Sequence, residues 1–110
     1  MLLPHYERAY IPQEKLNGYL LSETHPVGRF KARIFHAVGY DTSNAQLLEQ
    51  ALINIAHKEE VAETNSTPYG TIYVIDGTLQ TPSGDSLQMR TVWIISTGES
   101  SPRLVTCYLV

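Results

Sequence analysis

The sequence predicts an α+β fold, with helices from its first half packed on a four-stranded, mainly antiparallel sheet formed by its second. Apolar residues recur at helical spacing up to about residue 58, then give way to short β-branched and aromatic runs. Those runs are bounded by Gly, Pro, Ser and Asp, the residues that turn one strand into the next. A length of 110 residues, 43% of them hydrophobic, suits one domain (residues 1–110) whose core needs no disulfide or structural metal.

Taken in order, residues 1–11 form an entry segment in which Ala9-Tyr10-Ile11 fits a short edge strand, kept short by Pro12. Pro12 also suits the first turn of a helix ending near Ser22, with Leu16, Tyr19 and Leu20 on one face. A second helix follows His25-Pro26. Its apolar positions Phe30, Ile34, Phe35 and Val38 are expected to face the core, Gly39 to end it, and Arg29, Arg33 and His36 to lie on the wetter side, with Lys31 off to one flank. Thr42 or Ser43 is expected to cap a third helix reaching residues 55–58. Leu47, Leu48, Ala51, Leu52, Ile55 and Ala56 give it a broad apolar stripe that should lie flat on the sheet.

Strands are expected at 60–64, which is charged and edge-like, at 69–81 with a break at Asp76-Gly77, and at 87–96 and 103–109, with turns at 81–85 and 98–102. Simple alternation then puts Leu104, Thr106 and Tyr108 on one side of the last strand and Arg103, Val105 and Cys107 on the other. In matching register Thr71, Tyr73, Thr91, Trp93, Thr106 and Tyr108 would line one face, with Arg103 reaching round the edge from the head of its strand.

Composition excludes several classes. A net charge of −3 argues against a general polyanion binder, although Arg29, Lys31 and Arg33 leave room for a local basic site. Cys107 is the one cysteine, so there is no intramolecular disulfide and no cysteine-based zinc cluster, which fits a reducing cytoplasm. No His or carboxylate pair has metal-ligand spacing, and no cofactor is expected. The opening residues do not form a signal peptide, and no run approaches the roughly 18 apolar residues of a membrane helix.

Metal-independent RNA cleavage needs an acid and a base for the two oxygens and cations or N–H donors for the phosphate. Histidine titrates near neutrality, which makes His25 the acid/base candidate. Lys31 and Arg103 are candidates to stabilise the phosphorane, and Thr106 and Tyr108 to donate to phosphate oxygens. Arg29, Arg33, Tyr69, Tyr73 and Thr91 are candidates for RNA contact, with Trp93 as a further stacking surface. Each has a plainer role: His25 as a helix cap, Lys31 as a solvated charge, Arg103 as half of an ion pair, Trp93 as core.

Five motifs run along the chain: Lys15…Tyr19-Leu20-Leu21, the helix from His25 to Phe35, Thr67 to Tyr73, Thr91-Val92-Trp93, and Pro102 to Tyr108. Together they resemble a family of uncharacterised bacterial domains found alone and at the C-termini of large polymorphic toxins. The ending is also similar to the closing strand of the barnase, EndoU, colicin and RelE ribonuclease superfamily, although family toxins usually end Thr-Ala-Tyr-Pro where this chain has Thr106-Cys107-Tyr108-Leu109. The resemblance implies helices backing a four-stranded sheet, with a Thr and a Tyr of the last strand in the active site. It implies a toxin-like endonuclease acting on RNA (tRNA among the candidates), neutralised by a cognate antitoxin or immunity protein. The rival expectation is a non-catalytic protein-binding module, the neutralising or regulatory partner of a neighbouring gene product, which net acidity suits. His25, Arg103, Thr106 and Tyr108 gathered in one cleft would favour the enzyme, and their dispersal the module.

Overall fold

In the computed structural model, which covers residues 1–110, the second half of the chain forms a meander. Strands β1 (Glu63–Thr67), β2 (Gly70–Gln80), β3 (Ser86–Ser96) and β4 (Arg103–Leu109) pair antiparallel in the order β1-β2-β3-β4. The first strand begins later than its Val and Glu content suggests. The tight turn at Pro68-Tyr69 sets the register by pairing Thr67 with Gly70, so pairing runs back from Thr67 and uses a polar, exposed segment. The short edge segment expected at residues 9–11 reduces to a single parallel bridge, from Tyr10 to Arg103 at the start of β4. The Tyr10 N–H donates to Pro102 O at 3.0 Å, and its carbonyl accepts from Leu104 N at 3.1 Å.

Helices cover one face of the sheet. α1 (Gln13–Lys15) starts after Pro12 and passes directly into a π-helical turn, Leu16–Leu20, which buries Leu16 and Leu20. α2 (Gly28–Ala37) ends where Gly39 takes a positive φ of 100°. α3 (Ala45–Lys58) follows a 3-10 turn, Thr42–Asn44. The cap there is Asp41, one residue before the expected Thr42 or Ser43. Its carboxylate accepts from Ser43 N, and the Asn44 side chain accepts from Asp41 N, closing a capping box. α3 lies on the sheet through Leu48, Leu52, Ile55 and Ala56. No helix is long and apolar enough to cross a membrane.

The orientation of α2 differs from the expectation. It buries Gly28, Ala32, Phe35 and, just past its end, Val38, whereas Phe30 and Ile34 remain 52% and 37% exposed. The cause is close packing. Gly28 sits so near the Tyr19 carbonyl that a Cβ would overlap it, which fixes the Gly28–Ala32–Phe35 stripe inward. Positions 30 and 34 lie about 200° round from 28 and 32, on the other side of the helix.

Beneath the helices a continuous apolar cluster gathers Leu20, Phe35, Leu48, Leu52, Ile75, Met89, Trp93, Leu104 and Cys107. Burial pushes the Cys107 thiol up to about 12, so it acts as a small apolar filler. Thr91 is the one buried polar residue. Its hydroxyl donates to Ile75 O at 2.7 Å and accepts from the Trp93 indole N–H at 2.8 Å. Each hydrogen-bonding group therefore has a partner without water.

Thr91→Val keeps the shape and removes both bonds; Ile75 O retains its ladder bond from the Thr91 backbone, but the indole N–H is left buried and unpaired. The expected cost is about 2–3 kcal/mol in urea unfolding, and an unchanged midpoint would show that the Thr91 hydroxyl does not hold the core.

Candidate functional site

The open face of the sheet is set by a bulge in β4. Cys107 pairs with Thr91 and Thr106 with Val92, but Leu104 pairs with Trp93 and Arg103 with Ile94, so Val105 has no opposite number. One extra residue resets the alternation. Leu104 and Cys107 are consequently both buried, while Arg103, Thr106 and Tyr108 fall together on the side away from the helices. Same-face neighbours along a strand stand about 7 Å apart, so the three form a column.

This corrects the face predicted from simple alternation. Thr71, Tyr73, Thr91 and Trp93 do not share a surface with Thr106 and Tyr108, because the parity changes at Val105. Thr91 is fully buried and Tyr73 packs against the core cluster beside Trp93, so neither meets RNA from the open face. Tyr69 is 79% exposed at the tip of the β1–β2 turn.

Cross-strand register arranges the open face as three rows. Ile72, Ile94 and Arg103 form one, Val74, Val92 and Thr106 the next, and Asp76, Arg90 and Tyr108 the third. The floor is thus aliphatic, bordered by the polar β4 column and closed at one end by a charged pair. The Arg90 Nε and Nη2 donate to the two Asp76 oxygens at 2.8 and 2.9 Å. That bidentate bond holds the Asp76 carboxyl below the usual carboxylate range and raises the Arg90 guanidinium further above its own. Arg103, in contrast, takes part in none of the three ion pairs of the protein, leaving its charge available.

Lys31 approaches from α2. Its ammonium donates to Cys107 O at 2.8 Å, on the outer edge of β4, and stands 5.6 Å from the centre of the Tyr108 ring. With Ile34, Phe35, Met89, Cys107, Tyr108 and Leu109 it lines a small apolar cleft beside the column.

The remaining candidates lie elsewhere. His25 is a cap: its Nδ1 accepts from Val27 N at 3.0 Å and Gly28 N at 2.9 Å, and the ring stands edge-on to Tyr19. These bonds need an unprotonated Nδ1, and the ring lines no cavity that contains Lys31 or Tyr108. Arg29 and Arg33 flank the exposed Phe30 ring at 4.8 and 5.6 Å. The largest cleft, about 450 Å³ and lined by Glu23, His36, Tyr40 and Asp41 among others, holds none of the candidates. Sequence reasoning overlooked Asp76 and Arg90, although opposite charges equidistant from Ser83 in the following turn are a legible hairpin pair.

Chemically, the column offers a free guanidinium, two hydroxyls and a nearby ammonium. That set binds and polarises a phosphodiester but includes no imidazole.

A family described as "Domain of unknown function (DUF6883)" matches residues 2–110. No curated protein matches the chain. Among solved structures, a chain of a contact-dependent growth inhibition toxin–immunity protein complex from Klebsiella pneumoniae 342 is similar at 15% identity, with a TM-score of 0.70. The likeness covers 94% of this chain and 95% of that one, and at such low identity it is a likeness of fold.

Because the Asp76 carboxyl is lowered in the folded protein, its contribution is complete above the unfolded value, near pH 4, and is lost as pH falls through the folded value. Asp76→Asn should therefore unfold at lower urea than wild type at pH 7, with the gap narrowing progressively as the pH is lowered below about 4. A gap independent of pH would exclude the ion pair as its source.

Proposed function

The chain belongs to the DUF6883 family, and on that footing we propose that it is a toxin-like, metal-independent RNA endonuclease working from the open face of its sheet. The observation that carries the reading is the β4 column. A single bulge brings Arg103, Thr106 and Tyr108 onto one uncovered surface, with Arg103 unpaired and Lys31 at the margin. The fold likeness to a chain of a toxin–immunity complex supports a toxin-related or immunity-related role.

In this mechanism Arg103 grips the non-bridging oxygens of the scissile phosphate in bidentate fashion, and Thr106 donates a further hydrogen bond. The 2′-oxygen attacks phosphorus and the P–O5′ bond breaks. The 2′-hydroxyl proton passes to water, and the Tyr108 hydroxyl supplies the proton for the departing 5′-oxygen, with Lys31 offsetting the negative charge that develops. The products are a 2′,3′-cyclic phosphate and a 5′-hydroxyl. His25 has no place in this scheme. The aliphatic floor beside the column suits the faces of unpaired bases, as in a tRNA loop, and a cognate antitoxin or immunity protein would act by covering it.

The rival reading, a non-catalytic protein-binding module, draws on the same face. Its middle is aliphatic (Ile72, Val74, Val92, Ile94), His25 stands apart from the column, and the net charge of −3 suits a protein partner better than RNA.

Purified protein incubated with total tRNA and mRNA in EDTA decides between them. Wild type should release fragments ending in 2′,3′-cyclic phosphate, Arg103→Ala should be slower by about a hundredfold or more, and folded His25→Ala should retain activity. Absence of cleavage by folded wild type would retire the nuclease and favour the module.

A further inference from the structure

α2 is the most basic stretch of an acidic protein. It carries Arg29, Lys31 and Arg33, three of the eight Lys and Arg residues, and no Asp or Glu, in a chain of net charge −3. At about 100° per residue these cations fall on two flanks of the helix. Lys31 turns toward the outer edge of β4, where its ammonium meets Cys107 O. Arg29, Arg33 and His36, at i, i+4 and i+7, turn the other way and line a cleft of about 240 Å³ with Glu23. Neither arginine takes part in an ion pair, and Glu23, the one carboxylate of the cleft, stands 3.5 Å from His36 instead.

Between the flanks lies Phe30, half exposed, with the Arg29 and Arg33 guanidinium groups 4.8 and 5.6 Å from the centre of its ring. An exposed phenyl and guanidinium planes are surfaces on which bases stack, and the guanidinium donors can meet the phosphates between those bases. Ile34, on the Lys31 side of Phe30, lines the small cleft that also holds Lys31 and Tyr108. One path therefore leads from the polar column, round the outer edge of β4 past Lys31, over Phe30 and into the Arg29–Arg33 cleft. Its continuity with the column favours a nucleic-acid strand over an acidic protein as the occupant.

We infer that the outer surface of α2 is a track for single-stranded RNA, on which Phe30 stacks a base and Arg29 and Arg33 hold phosphates beyond the scissile one. The identity of the strand rests on the ribonuclease reading, but the track is testable without cleavage. Glu23 opposes the strand from the far side of the cleft.

The test is binding of a fluorescein-labelled, fully 2′-O-methylated single strand, which the proposed reaction cannot cut, followed by anisotropy in EDTA. Arg29→Gln combined with Arg33→Gln should weaken binding by about tenfold or more. It should also flatten the slope of log K against log salt by about 1.4, the share of two phosphate contacts on a single strand. Phe30→Ala should weaken binding by about five- to a hundredfold with the salt slope unchanged, and Phe30→Trp should bind at least as well as wild type. Glu23→Gln should tighten it. Binding equal to wild type in the double arginine variant would overturn the inference. So would a Phe30→Ala protein that binds like wild type, since charge attraction alone would then account for the affinity. The expected losses in a protein that cleaves no RNA would remove the nuclease reading and leave the track standing. Cleavage by wild type with an unchanged KM in these variants would do the reverse.

Discussion

Val105, the residue of β4 without a cross-strand partner, determines what either side of the sheet can do. A strand of strict alternation would have to send Leu104 and Thr106 to the same face, so the core would lose a leucine or gain a hydroxyl. The bulge removes that conflict, keeping Leu104 and Cys107 in the core while Arg103, Thr106 and Tyr108 share the open surface. It sits at the seam where β3 changes from Val92 to Trp93, so the same irregularity that exposes Thr106 leaves the indole inside.

The two faces are mechanically joined. On the dry side, the Trp93–Thr91–Ile75 chain of hydrogen bonds ties β3 to β2, and Gly28 lets α2 settle against the π-helical turn. Lys31 carries this order across to the site, because the helix that supplies it is fixed by that packing and its ammonium ends on Cys107 O. On the open side, the Asp76–Arg90 bond ties β2 to β3, and Tyr108 stands opposite Arg90 on β4. Tyr108 is therefore bracketed by groups anchored in different elements, although the ring itself is exposed.

Much of the architecture was legible because it is governed by local periodicity. The change from helical to strand spacing, the stop at Gly39 and most of the apolar stripe of α3 are readable directly, although Leu47, counted in that stripe, stays exposed. What escaped depends on contacts between elements. The inward face of α2 follows from how closely Gly28 approaches Tyr19, and nothing in the helix's own apolar spacing announces it. The open face turned on one unpaired residue, and period-two arguments fail from that point onward. His25 looked like an acid/base candidate by residue type, but its free lone pair is spent on two backbone N–H groups. The Asp76–Arg90 pair becomes visible only when the two charges are counted out from the hairpin turn that sets them opposite each other.

The bridge at Tyr10 has a consequence for the order of folding. Every other pairing in the sheet joins strands that follow one another in sequence, so the meander can zip up through local hairpins. The contact between Tyr10 and the start of β4 instead closes a loop of nearly the whole chain, and loop-closure entropy falls on that pairing more than on any hairpin. The backbone at Arg103 is thus ordered from both directions, by β3 and by the opening segment. A folding chain with its hairpins formed but the Tyr10 bridge still open would hold most of its sheet while lacking the support that fixes the head of the polar column.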